Sequence, residues 1–505
     1  MDEFKRKIKL LDDIVYEVIE KENIPCSIST ENFAEAHCRT VARLSQSAKS
    51  FEQIVREILN EEGFNREKIG NFHKSITLGV AHHSIEQHGN VTLCFENTSM
   101  IATNKYCENK RLAAYLEKST RYQDFSKPCY IIPKELDSKP ELKKEYIETM
   151  DYLFEVYSKI LPKIINEIKN EFSKRNIVVE EKLIKKKAFD SARYILPASA
   201  YTNFAMTTNS QVFRSLIVDL FTSNIKEFNE IREEMQKELE KVYPTLLEKS
   251  TCIFDKKREE IKNTSNTITP LIFGNKKNIK IDDFIFENIE SQVKIIGHTD
   301  NSDKLLVYNY LLDNGHTVEY KNEEVYLNSQ KLTQEKIDKY IKQAFEYDCT
   351  GYRPHRATEL ANYNFEGIID FGAWRDLHRN RMLTWISSFI SPEYGFAIPI
   401  FLPKDAEGEY ISGLNKAYGL WVKLLKNGLS KEFCQYVCPL GTNAKILYTI
   451  NAREMDHVSK TRTTEHAHFS YRLFVHYCVE EIKKKTPNIG NNLKDYYDDP
   501  ISSIH

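Results

Sequence analysis

Two stretches of this chain are diverged copies of each other at a fixed separation. No other feature constrains the architecture as much, because a long internal repeat dictates how many folding units the chain builds. The first stretch runs ARYILPASAYTNFAMTTNSQVFRSL from Ala192 and the second CQYVCPLGTNAKILYTINAREMDHV from Cys434. Pro197 and Asn209 are 12 apart, as are Pro439 and Asn451, and Thr207 matches Thr449, so the copies align at an offset of 242. The parts upstream come in the same order twice: an acidic, His-bearing helix-like stretch, an apolar run, a basic cluster and an Ile-Pro. They read HHSIEQH, NVTLCFENTSMIA, ENKRLAAYLEKSTRY and CYIIPKEL in the first copy, and PHRATELANYNFEGIIDFGAWRDLHRNRM followed by GFAIPIFLP in the second.

At 505 residues the chain exceeds the roughly 250 to 300 at which single cores stop growing. The expected division is a first domain over 1–245, a linker or insertion over 246–290 that is rich in Lys, Asn and Thr, and a second domain over 291–505. The stretch NIKEFNEIREEMQKELEKVYP has the apolar spacing of an amphipathic helix closing the first domain. VKIIGHTDNSDKLLVYNYLLDNG reads as a strand, a turn and a helix opening the second. Helices dominate, with short strands, in a mixed α/β pattern.

With 41% apolar and 29% charged residues, and a net charge of −2, the chain is an ordinary globular sequence. It lacks the surplus of Lys and Arg that coating a nucleic acid requires, so no nucleic-acid partner is expected. MDEFKRKIKLLDD threads charges through its apolar positions, unlike a secretory segment, and no apolar run approaches the ~20 residues of a membrane helix, so the expected setting is cytoplasmic, without a membrane partner. The ten cysteines are scattered, with Cys434 and Cys438 the one close pair, which reads as reduced, mostly structural thiols.

Three constellations could carry chemistry. Lys110 to Tyr122 sets Ser119 and Arg121 two apart beside Glu117, a trio suited to a phosphate plus a base or sugar edge; a solvated basic helix end has the same composition. Arg375-Asp376-Leu377-His378-Arg379-Asn380-Arg381 crowds polar side chains onto two turns of an expected helix, more densely than surface pairing of Asp376 with Arg379 or Asn380 accounts for. Asn451, Arg453, His457 and Arg462 follow the strand-like KILYTI and would turn donors toward an anionic cofactor, although a capped, exposed helix looks the same. His82, His83 and His88 do not match a metal-ligand spacing and read as structural, so no metal is expected. There is no Gly-rich phosphate loop, no nucleophile elbow and no Cys-His pair.

These residues resemble the flavin-dependent thymidylate synthases, whose signature is Arg-His-Arg, seven residues, then Ser-x-Arg-Tyr. Arg111, seven residues, then Ser119-Thr120-Arg121-Tyr122 keeps the spacing, although the triplet is Asn109-Lys110-Arg111. The family's Arg before a Leu-Pro resembles Arg193, with Leu196-Pro197 following, and Gln211 and Leu220 stand where later arginines belong. The second copy departs in the opposite places. It has Arg379-Asn380-Arg381 for the triplet, with Asn451, Arg453 and Arg462, but no Ser-x-Arg-Tyr, and Gln435 stands in place of Arg193.

The resemblance covers roughly residues 30 to 220 and 292 to 480. It implies helices packed on short antiparallel sheets in two tandem domains. It also implies one composite deoxyuridylate (dUMP) site, with Glu117, Ser119, Arg121 and Arg193 from the first half and Arg379 and Arg462 from the second; Arg379, Ser119 and Arg121 would be catalytic. FAD would lie against His355, Arg379, Asn380, Arg381, Asn451, Arg453 and His457, with methylenetetrahydrofolate and NADPH as co-substrates. Asn380 in place of the triplet His, and Asp376 where the family has an amide, open two alternatives: alkylation of another pyrimidine nucleotide, or nucleotide and flavin binding without turnover. A homodimer forming a pseudo-tetramer is implied as well.

Overall fold

The computed structural model describes residues 7–10, 34–44, 66–79, 82–104, 110–248, 286–313, 321–346, 353–377, 379–464 and 467–497, with a few positions in 47–49 and 256–264. Most of the expected linker, and His378 and Asn109, lie outside them. Leu246 and Leu247, at the start of that linker, are buried.

The repeat is visible as two four-stranded antiparallel sheets of identical order. Strands β1 (Lys7–Leu10), β2 (Asn90–Ser99), β3 (Ala114–Glu117) and β4 (Tyr201–Asn209) form the first sheet, in the order β1-β2-β4-β3. Strands β5 (Gln292–His298), β6 (Asn362–Asp370), β7 (Thr384–Ser387) and β8 (Asn443–Asn451) form the second, in the order β5-β6-β8-β7. Burial alternates along β4 and β6, as expected for sheets with one face on a core.

The matched residues do matched work. Asn209 pairs with Asn90 and Asn451 with Asn362, at the ends of the two central ladders. Each then caps the helix that follows. The Asn209 side chain accepts from the Val212 N–H at 3.2 Å, opening α4 (Ser210–Thr222), and that of Asn451 accepts from the Glu454 N–H at 2.9 Å, opening α10 (Ala452–Arg462). Thr207 bonds Thr92 across the first sheet at 2.8 Å, and Thr449 bonds Asn364 across the second at 2.6 Å. The apolar spacing read after residue 224 is helix α5 (Lys226–Leu239), which buries Phe228, Ile231, Met235 and Leu239.

By its contacts the chain divides into two compact units that interleave along the sequence. One holds residues 1–119, 129–147 and 199–282; the other holds 120–128, 148–198 and 283–505. The first contains the first sheet, with α1 (Ala34–Leu44), α4 and α5. A buried Glu86 anchors it, taking both Arg214 amino groups at 2.8 and 2.9 Å and the His83 ring at 2.8 Å, which gives one of the sequence's clustered histidines a structural partner.

The second unit contains the second sheet and most of the helices. They are the later part of α2 (Pro140–Lys174), α3 (Glu181–Ala192), α6 (Ser302–Asp313), α7 (Gln334–Phe345), α8 (Phe371–Leu377), α9 (Lys404–Lys426), α10 and α11 (Phe469–Lys485). Inside it the Leu-Pro turn of one copy meets that of the other. Pro197 and Pro439 form an antiparallel bridge, flanked by Ala198 N–H to the Cys438 carbonyl (2.9 Å) and Leu440 N–H to the Leu196 carbonyl (2.8 Å). Each residue in one bond is the 242-offset counterpart of a residue in the other, so the two turns pair reciprocally.

Candidate functional site

Helix α3 carries Asp190 in its last turn, and the following turn carries Arg193, buried to 4% exposure. A buried guanidinium needs partners. Arg193 donates to the Thr120 hydroxyl (2.9 Å) and the Gly372 carbonyl (3.4 Å), and approaches Asp190 at 3.1 Å and Asp376 at 4.0 Å. Asp190 also takes Arg121 at 3.0 Å, and Asp376 takes Arg379 at 4.0 Å. Burial alone would push the Asp376 carboxyl up, but the guanidiniums of Arg379, Arg193, Arg121 and Arg462 outweigh it and hold it well below the usual carboxylate range. Asp190 is likewise lowered against its burial, with Arg121 its strongest opposing neighbour. Four guanidiniums facing two ionised carboxylates leave a surplus of two positive charges, the charge of a phosphate-monoester dianion.

Arg121, Arg193, Arg379 and Arg462, drawn from both copies, are thus brought together in one compact unit. Glu117 and Ser119 belong to the other, since the boundary falls between Ser119 and Thr120. There Glu117 is buried on β3 and accepts from the Thr202 hydroxyl at 3.1 Å. The segment around it is an edge strand and turns, not the helix end its charges allow. The helix expected over 375–381 stops at Leu377, leaving Arg379, Asn380 and Arg381 in a turn. The Asn380 amide is fixed there to the Leu377 carbonyl (2.9 Å) and the Tyr471 hydroxyl (2.7 Å), while Arg381 is exposed.

The remaining expected flavin residues lie on or beside α10. Arg453 reaches the Pro354 carbonyl (2.7 Å) and Glu359 (2.6 Å). Partial burial, reinforced by Arg353 and Arg462, lowers the His457 imidazole below its usual range. His355 is more committed: its Nδ1 accepts from the Ala357 N–H (3.2 Å) and its Nε2 faces Asp313 (3.2 Å). As a donor set, Arg453 and the half-exposed His457 on α10, with Arg353 beside them, suit an anionic dinucleotide; Arg453 is paired with the part-exposed Glu359, whereas Arg353 is held by the buried Glu454.

The register shows which residues the second copy carries at the positions of Glu117, Ser119 and Arg121. Phe204 pairs with Glu117 and Ile446 with Ser387, and Phe204 and Ile446 stand 242 apart, so Ser387 occupies the place of Glu117. Counting on, Phe389 and Ser391 stand where Ser119 and Arg121 stand. Gln435, counterpart of Arg193, is turned to backbone, accepting from the Ile390 N–H at 3.2 Å and donating to the Glu432 carbonyl at 3.0 Å. That counterpart carries no cation.

Two residues of the cluster escaped the sequence reading. Asp190 had a faint signal, three residues before Arg193 on a helix. His468, 1% exposed, stacks on Tyr194 and faces Asp190 at 3.6 Å, with no local pattern to mark it. Arg121 and Asp190 also line a cleft with Lys186, Lys187, Arg472 and Phe469. Burial, reinforced by Arg193 and Arg121, pushes the His468 imidazole down to about 3 from 6.5, although Asp190 opposes it. Between those values the unfolded chain holds a proton that the folded chain refuses, so stability falls as pH drops from about 6.5 toward 3. Urea unfolding across that window should show a shallower pH slope for His468→Phe than for the unaltered chain.

Burial raises the thiols of Cys38, Cys434 and Cys478 to about 12. No helix among the described residues is long and apolar enough to cross a membrane.

Comparison with known proteins adds a family. The family described as thymidylate synthase complementing protein matches residues 28–245 and 294–488, one segment for each copy. The chain belongs to this family. A family relative from Thermoplasma acidophilum, the UPF0159 protein Ta1429, is 23% identical over 92% of this chain and 96% of its own length. The flavin-dependent thymidylate synthase of Clostridium tetani is 26% identical over 217 residues, covering 42% of this chain and 82% of that protein, about the span of one copy. Among solved structures, the UMP/dUMP methylase PolB of Streptomyces cacaoi aligns over 41% of this chain and 96% of its own at 14% identity, with a TM-score of 0.32.

Proposed function

We propose that this family member is a flavin-dependent thymidylate synthase, converting dUMP to dTMP at one composite site with methylenetetrahydrofolate as carbon donor, FAD as cofactor and NADPH as reductant. The observation that carries the reading is the convergence of Arg121 and Arg193 with Arg379 and Arg462 around two carboxylates, with a net surplus matched to a nucleotide phosphate. Family membership in two segments supports it.

In this reading Arg121, Arg193 and Arg462 hold the nucleotide, and Arg379 offsets the charge that builds on the uracil ring during attack. Asp190 and Asp376 keep the guanidiniums aligned before substrate arrives, so little reorganisation is left for the reaction. Arg381, Asn451, Arg453 and His457 would hold the flavin, whose reduced form would supply the hydride, and His355 braces the Pro354 loop on which Arg453 rests. Asn380 orients through its amide and carries no proton. Domains 1–245 and 291–505 stand in for two subunits, and pairing of two chains would give a pseudo-tetramer in the cytoplasm.

A second reading is alkylation of another pyrimidine nucleotide. Asp376, held ionised, accepts hydrogen bonds but donates none, and so favours a base edge that offers N–H groups. The test is the absorbance of the purified protein followed by titration with dUMP, then with dCMP. A flavin band perturbed by dUMP, with folate-dependent tritium release from labelled dUMP, is the expected result. A band that responds only to dCMP would favour the second reading, and a protein that flavin cannot reconstitute would overturn both.

A further inference from the structure

Away from the arginine cluster, His476 and Glu480 stand one turn apart on one face of α11, and Asp495 reaches them from the segment that follows. The His476 Nδ1 lies 2.6 Å from the Asp495 carboxylate. Among the described residues this is the only group of three His, Cys, Asp or Glu side chains whose ligand atoms all lie within 4.8 Å of one another. One imidazole and two carboxylates, all half-buried, make a mixed nitrogen and oxygen donor set for a first-row divalent ion.

The surroundings fix two of the three donors. The Tyr497 ring stacks on the His476 ring at 4.4 Å, and the second Asp495 oxygen accepts the Tyr497 N–H at 3.0 Å, the kind of outer contact that orients a ligand. Glu480 is the adjustable member. Its partner is Lys483 at 2.7 Å, a half-buried i,i+3 pair on the same helix.

We propose that His476, Glu480 and Asp495 bind one divalent transition-metal ion that clamps segment 491–497 onto α10 and α11. The clamped segment is tied at two further points: the Tyr496 N–H donates to the Thr463 hydroxyl (2.8 Å) and the Lys494 N–H to Asp456 (3.4 Å). Thr463 also accepts Arg472 Nε at 3.0 Å through its carbonyl, and Arg472 sits over the Tyr497 ring at 5.5 Å while lining the cleft beside Arg121. The ion would brace that cleft wall without touching the residues assigned to nucleotide or flavin.

The test uses the full chain stripped with EDTA, desalted and titrated with zinc or cobalt, with no nucleotide present, so its outcome is separate from the thymidylate synthase reading. The unaltered chain should take up one more equivalent than Asp495→Asn, and its melting temperature should rise with zinc by mass action. Where the site still binds in the variant, affinity should fall by at least the roughly 10- to 100-fold that loss of an outer contact costs, since Asp495 is a direct ligand. Glu480→Gln, which leaves the His476–Asp495 bond in place, serves if Asp495→Asn does not fold. Equal uptake and an equal thermal shift in the unaltered and variant chains would overturn the proposal, as would no uptake at all.

Discussion

Arg121→Ala and Arg462→Ala should each weaken dUMP binding severely, although the two positions are 341 residues apart in the chain. Each substitution removes one of the four guanidiniums balanced against Asp190 and Asp376, so the surplus positive charge falls from two to one. Loss of a single charge-assisted hydrogen bond is worth about 1.5 to 3 kcal/mol, or roughly ten- to more than a hundredfold in affinity. Calorimetric titration with dUMP reads the effect directly. Arg453→Ala is the useful control, because it should shift flavin affinity and leave dUMP affinity nearly unchanged. Wild-type affinity in either the Arg121 or the Arg462 variant would break the composite site.

The second large effect belongs to Arg193, where binding and stability are joined. Arg193→Ala opens a hole and takes one guanidinium from Asp190 and Asp376, leaving them to Arg121 and Arg379, and removing one partner of a buried ion pair typically costs about 3 to 5 kcal/mol. Urea unfolding should show that loss. Arg193→Gln places in the first copy the residue that the second copy carries as Gln435. Combined with Asp190→Asn it should recover part of the stability, because one stranded charge is gone, yet it should not recover dUMP binding. Recovery of both would mean that Arg193 holds the fold together and has no part in recognition.

Much of this organisation is legible in the residues. The 242-residue offset foretells two equivalent sheets, and the twice-repeated Asn turns out to be a helix cap at both ends of the repeat. The strand, turn and helix read after residue 292 are β5 and α6. Local pattern fails where tertiary partners decide. Ala114–Glu117 has the charge spacing of a helix end but gains a ladder by pairing with β4, and beyond Leu377, where α8 ends, the Asn380 side chain is spent on the Leu377 carbonyl and the Tyr471 hydroxyl. At the site, the arginines are visible through their motifs. Asp190 and His468 are not, because what matters about them is burial against groups far away in sequence, and a lone Asp or His announces nothing of that kind.

The bridge between Pro197 and Pro439 also sets a clock. A nascent chain that has just delivered the first Leu-Pro turn must wait for 242 more residues before its counterpart exists. At about 5 to 20 residues per second, that is roughly ten to fifty seconds of synthesis. Throughout that interval Arg193, Tyr194 and Leu196, all destined for full enclosure, have nothing from the second copy to close over them. Premature release from the ribosome therefore leaves an open apolar seam with a charge at its centre. Such a chain should depend on chaperones during synthesis far more than one whose halves mature independently.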